Sequence, residues 1–226
     1  MTTARSVLAG LALLTLASPS PVLAQAAQPA NAMSFFISSV GSGRGANFGG
    51  LLGADKHCQT LAAAAGAGSK TWKAYLSQNG AAGHPSINAR DRIGTGPWYN
   101  AKGARIASSV AELHSDKNNL TKETALTEKG EGVNGRGDSP NRHDILTGTQ
   151  ADGTAYATAD SANTTCGNWV RNFPGQGKAA VGHHDRAGND PKTGSSWNAA
   201  HISQGCSQDE LKASGGDGLI YCFATN

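Results

Sequence analysis

The apolar positions of this 226-residue chain fall into short runs, and their spacing sorts the runs into elements. Residues 34–40 are largely apolar, with Phe35 beside Phe36, and read as a first strand. A glycine-rich turn covers 41–50. Leu51, Ala54, Cys58, Leu61, Ala62 and Ala65 then recur at the helical period. That pattern predicts an amphipathic helix with Asp55, Lys56 and Gln59 on its wet side and Gly66 and Gly68 ending it. Cys58 falls on the apolar face, so its partner is expected from the core. Trp72, Ala74 and Leu76 alternate with Lys73 and Tyr75, the signature of a half-buried strand. Further short strands are expected over 87–93 and 97–106, with a tight turn at 100–103. Residues 115–139 are polar and punctuated by glycine, and read as a long excursion outside the core. Strands are expected again around Ile145, around Trp169 and over 179–181. Leu219 to Phe223 is uninterrupted apolar sequence and reads as a central closing strand. A strand, a helix and then many short strands make an α+β domain with a mixed or antiparallel sheet.

The ends add a compartment. Arg5, an apolar stretch over 7–17, Pro19 and Pro21, and then Val22-Leu23-Ala24 have the layout of a secretory signal peptide cleaved after Ala24. A buried helix of the mature domain would need a polar face, which this stretch lacks. Residues 1–24 are thus read as the leader, 25–32 as a flexible lead and 33–226 as one domain. The stretch is too short for a stable membrane span, so a secreted or periplasmic protein is expected. A formal net charge of +3 is too small to suggest nucleic acid as a partner. Thirty glycines predict long loops on a compact frame.

All four cysteines, Cys58, Cys166, Cys206 and Cys222, lie within the expected domain. An even number in an exported chain points to disulfides, and sequence alone leaves all three pairings open. No close C-x2-C pair suggests a cysteine zinc site.

The run Ala54-Asp55-Lys56-His57-Cys58-Gln59, followed by Thr71-Trp72-Lys73-Ala74-Tyr75-Leu76-Ser77, resembles the helix-then-strand opening of endostatin, a domain with a C-type-lectin-like fold. Ile87-Asn88-Ala89-Arg90-Asp91, Gly103-Ala104-Arg105-Ile106, Thr165-Cys166-Gly167-Asn168-Trp169 and Leu219-Ile220-Tyr221-Cys222-Phe223 are similar to later endostatin segments. The resemblance spans 33–226 with gaps, and extends to bacterial exported proteins described as lectin-like. It implies a nested pairing, Cys58 with Cys222 and Cys166 with Cys206. It also implies a lectin-like, non-enzymatic binding module whose partner is a glycan or an extracellular or envelope protein. Sugar-binding C-type lectins carry Glu-Pro-Asn or Gln-Pro-Asp, and Trp-Asn-Asp before the third cysteine. This chain has neither tripeptide, and Ala199 follows Trp197-Asn198, so calcium-dependent sugar binding is not expected. The histidines that hold zinc near the endostatin N-terminus have no counterpart in 33–40.

Three groups carry candidate chemistry. Gly182-His183-His184-Asp185-Arg186 has the ligand types of a zinc or other transition-metal site, or of a hydrogen-bonded loop. On a strand only one of His183 and His184 can face a given site. His114, Asp116, His143, Asp144 and His201 join such a site only if the fold gathers them. Asn88, Arg90, Asp91 and Arg92, with Trp98 and Tyr99, mix planar polar and aromatic groups suited to a sugar or peptide, or to a buried ion pair beside a core tryptophan; the candidate ligand-binding residues are Arg90, Asp91, Trp98 and Tyr99, with Trp197 and Asn198. Arg136-Gly137-Asp138 matches an integrin-binding tripeptide but reads better as a turn in which Asp138 caps backbone amides. No Ser-His-Asp signature, nucleotide-binding glycine loop or paired-carboxylate motif stands out, so a binding module is the first expectation. The alternatives are a metal-dependent enzyme built on the histidine cluster and a structural envelope protein.

Overall fold

The computed structural model describes residues 1–2, 33–81, 83–157, 164–186 and 195–226. Beyond its first two residues, the expected leader lies outside the described residues, as do the lead and 187–194. The fold is α+β around a mixed six-stranded sheet. Its axis is β8 (Gly216–Ala224), the apolar C-terminal run. One edge of β8 pairs antiparallel with β1 (Phe35–Ile37). Its other edge takes β2 (Trp72–Ala74) antiparallel and, further along, β5 (Asp144–Leu146) parallel. Outward from β5 lie β6 (Ala180–His183) and β7 (His201–Ile202), both antiparallel. A separate hairpin, β3 (Trp98–Tyr99) with β4 (Arg105–Ala107), is joined by the expected turn. Asn100 Oδ1 accepts the N–H groups of Lys102 and Ala104 there.

Both faces of β8 are buried, which is why its sequence is apolar without alternation. Ile220, Cys222 and Ala224 face one core with Phe36, Trp72, Leu146, Val181 and the helix α1 (Gly50–Ala64). Leu219, Tyr221 and Phe223 face the other with Phe35, Trp98, Ile106, Ile145 and Trp197. Each fully buried large side chain contributes about 1.5–3 kcal/mol relative to exposure.

Two disulfides fasten the layers. Cys58 on α1 joins Cys222 on β8, with Cα atoms 5.6 Å apart. Cys166, in the short turn α3 (Cys166–Trp169), joins Cys206 at 5.7 Å. The arrangement is the nested one that the resemblance implies. Loop-closure entropy for separations of 164 and 40 residues corresponds to about 5 and about 4 kcal/mol.

Several local expectations differ from what forms. Asp55 is not on the wet side of α1. It is buried, takes both Arg92 Nη2 contacts at 2.7 and 2.9 Å, and accepts the Ala74 N–H. A cation from a distant segment reverses the usual reading of a helix carboxylate. Residues 87–93 form a 3-10 turn (Ala89–Asp91) rather than a strand, because Asn88 donates to Asp91 and the Ala89 N–H goes to Ser77 Oγ. Trp169 ends a turn whose interior residues have positive φ, so no strand forms there. The 115–139 segment is not outside the core. Leu120, Ala125, Leu126 and Val133 are buried, and Ile37 N–H donates to Leu126 O. Side chains of Asn118, Thr124 and Thr127 bond its backbone locally, so it packs without regular structure. Helices α2 (Val110–Leu113) and α4 (Gln208–Ala213) complete the frame.

Candidate metal centre

The second half of the sheet builds the site. On one face, Leu146 pairs across strands with Val181 and belongs to the core. One step further along the same face, Asp144 pairs with His183. The core face of β5 and β6 therefore passes from an apolar pair to a carboxylate–imidazole pair. Val181 is in register with His201 on β7, which brings a further imidazole to the same place. His143 precedes β5 and folds back over it.

Three imidazoles converge on one oxygen. Asp144 Oδ1 lies 3.0 Å from His183 Nε2, 3.2 Å from His143 Nε2 and 3.2 Å from His201 Nε2. The His143 and His183 rings stack, with centroids 4.0 Å apart and planes 11° apart. Side chains of His143, Asp144 and His183 are buried, while that of His201 is 37% exposed and forms the solvent side of the cluster. The other nitrogen of His143, Nδ1, lies 3.3 Å from Asp185 Oδ1. The Asp185 Oδ2 atom accepts the Arg136 N–H at 2.5 Å.

The electrostatics follow from this crowding. Burial pushes the Asp144 carboxyl up, but the contacts with His183 and His201 outweigh it and hold the group below the usual range. His201 is raised, chiefly by its contact with Asp144. Burial likewise opposes ionisation of Asp185, yet His143 and the Arg136 amide hold it well below the ordinary value. His184 is lowered by burial.

With a proton on Nδ1 toward Asp185, His143 directs a bare Nε2 lone pair at Asp144 Oδ1. Two acceptors 3.2 Å apart repel unless a second proton on His143 or a metal ion lies between them. Protonating both stacked rings would place two positive charges 4.0 Å apart. Both oxygens of Asp144 are buried without a well-aligned hydrogen bond among the described residues. Donors around a tetrahedral zinc ion, at about 2.0–2.1 Å each, stand about 3.3 Å from one another. The three spacings from Asp144 Oδ1 to the imidazole nitrogens, 3.0–3.2 Å, are close to that, and ligand atoms of His143, Asp144 and His183 all lie within 4.8 Å of one another. Imidazoles with one carboxylate suit zinc, copper or nickel, whereas calcium needs six to eight oxygen ligands. His143, Asp144 and His183, with His201 beside them, could hold a transition-metal ion.

Of the cluster expected from sequence, His183 belongs to the site and Asp185 touches it through His143. His184 does not. It is on the opposite face, with Nε2 3.2 Å from Asn134 O. His114 is also elsewhere, at 2.7 Å from the Tyr75 hydroxyl. Asp144, the hub, stood out only as one of five conditional residues. The signal for it was the short His143-Asp144 pair opening an apolar strand.

Of the six sugar-type candidates, Trp98, Trp197 and Asn198 turn inward, while Arg90, Asp91 and Tyr99 keep some exposure. Trp98 is buried and donates to Ala224 O, and Trp197 is buried against Tyr75 and Tyr221. Asn198 donates to Tyr75 Oη and to two backbone carbonyls. Arg90 donates to Asp152 O, and Asp91 accepts from Asn88. Tyr99 is half-buried and borders a cleft of about 330 Å³ with the rim of Trp98 and Lys70. Trp197 and Asn198 border a smaller one of about 140 Å³ beside His114. The six residues therefore do not form one surface. The Asp138 carboxylate accepts the Gly135 N–H at 2.7 Å, the turn expected for that segment. Among the described residues no helix is long and apolar enough to cross a membrane. Compared with known protein families and with curated proteins, the chain matches none.

Proposed function

We propose that this protein is an exported binding module whose ligand is a divalent transition-metal ion, zinc in the first instance. One observation carries the reading: three imidazole Nε2 atoms lie within 3.2 Å of a single buried carboxylate oxygen. His143, His183 and His201 would hold the ion with Asp144. The endostatin-like form of the C-type-lectin-like fold belongs to the same reading. Its support is the cysteine pairing, the helix-then-strand opening and the mixed sheet. Two disulfides are compatible with a secreted or periplasmic site of action.

The test is metal content. Protein stripped by chelation and reloaded with zinc should retain a stoichiometric ion after gel filtration, and His143→Ala and His183→Ala should not. Unchanged uptake in both variants, or none in the wild type, would overturn the reading. The enzyme alternative uses the same residues and would appear as turnover confined to the metal-loaded protein. A glycan or protein ligand is the second reading, supported by the cleft beside Tyr99. Binding on a glycan panel that is lost in Tyr99→Ala would establish it.

A further inference from the structure

Asp185 touches the centre without belonging to the ligand set. Its two oxygens do different things. Oδ1 lies 3.3 Å from Nδ1 of His143, and Oδ2 accepts the backbone N–H of Arg136 at 2.5 Å. A single carboxylate thus spans a proposed metal ligand and an exposed turn. That turn is internally tied, with Gly135 N–H donating to Asp138 Oδ2 at 2.7 Å and Lys122 Nζ 2.6 Å from the same atom. Its contact with the sheet runs through neighbouring residues of one strand end. Asp185 holds Arg136, and His184 Nε2 lies 3.2 Å from Asn134 O.

We infer that Asp185 is the positioning residue of the metal centre, and that through it the 134–138 turn and metal occupancy form one thermodynamic unit. This rests on the metal-binding reading. An ionised carboxylate 3.3 Å from Nδ1 favours the His143 tautomer with its proton on that nitrogen, which leaves Nε2 to ligate. An ion on Nε2 makes the Nδ1 proton more acidic and tightens its hold on Asp185, which in turn holds the Arg136 amide. Linkage makes the effect reciprocal: the factor by which the ion stabilises the turn is the factor by which the formed turn strengthens the ion.

Gly135 supplies a probe that touches no ligand. A Cβ there would fall 2.4 Å from Oδ2, 2.9 Å from Cγ and 3.0 Å from Cβ of Asp185. Its φ lies outside the positive range, so alanine adds no backbone strain. Gly135→Ala should therefore push the Asp185 side chain out of its place between Arg136 and His143.

The experiment is competitive titration of zinc into the full chain, wild type, Asp185→Asn and Gly135→Ala. Loss of an outer carboxylate weakens metal affinity by about 10–100-fold, and both variants should fall in that range. The visible spectrum of the cobalt-loaded protein should change in both, a signature that a general loss of stability would not produce. Zinc should slow tryptic cleavage after Arg136 in the wild type and not in Gly135→Ala. Wild type that binds no zinc would refute the parent reading. Wild type that binds zinc, with equal affinity in both variants and no protection of Arg136, would refute this inference alone.

Discussion

Removing the Asp55 carboxylate should be among the most destabilising single changes in the chain. Asp55 sits on α1, takes Arg92 Nη2 at 2.7 and 2.9 Å and Lys73 Nζ at 2.9 Å, and accepts the Ala74 N–H at 3.0 Å. Arg92 and Asp55 side chains are each 11% exposed, whereas Lys73 is 36% exposed. Asp55→Ala leaves the Arg92 guanidinium buried without its anion. Breaking a buried pair from one side costs about 3–5 kcal/mol. Lys73→Ala removes a partner that water can replace, and should cost under about 1 kcal/mol. The double variant Asp55→Leu/Arg92→Met removes both charges and should recover most of the loss. Urea unfolding with both disulfides intact measures all three. A cost for Asp55→Ala below about 1 kcal/mol, equal to that of Lys73→Ala, would show that the pair is solvated and refute the reasoning.

Two other changes test other parts of the fold. Ser207 and Glu210 form a reciprocal capping box at the start of α4, so Ser207→Ala should cost about 1 kcal/mol, read as a lower urea midpoint at unchanged slope. His114 is held below the usual imidazole range by burial, partly opposed by its bond with Val110 O and balanced between Arg90 and the carboxylates of Asp152 and Asp91. A depressed folded value means that the unfolded chain takes up a proton that the folded ring resists. The resulting stability is present above about pH 6.5 and is lost as pH falls toward the folded value. His114→Gln should flatten that slope, and an unchanged slope between pH 7 and pH 5 would assign it to other groups.

Much of the frame was legible in the sequence, and the failures share a cause. The α1 helix, the hairpin turn at Asn100 and the β8 strand declare themselves through local spacing. Asp55 was misread because its partner, Arg92, is 37 residues away, and spacing along a helix says nothing about distant cations. The 115–139 segment was misread because Leu120, Leu126 and Val133 keep no period, so no pattern marks them as core. The two short helices α2 and α4 were missed although Ser109-x-x-Glu112 and Ser207-x-x-Glu210 spell their starts, and each serine does accept the N–H three residues on. The site was half legible. Alternation correctly allowed only one of His183 and His184 to face it. Assembling His143, Asp144 and His201 with His183 depends on the order β5–β6–β7, which short strands and long loops do not reveal.

The most direct measurement is anomalous diffraction at the zinc edge from crystals of the reloaded protein. One strong peak is expected among His143, His183, His201 and Asp144, at about 2.0–2.1 Å from the imidazole nitrogens. A reloaded crystal with no peak there, and Asp144 bonded only to protonated histidines, would contradict the metal-binding reading.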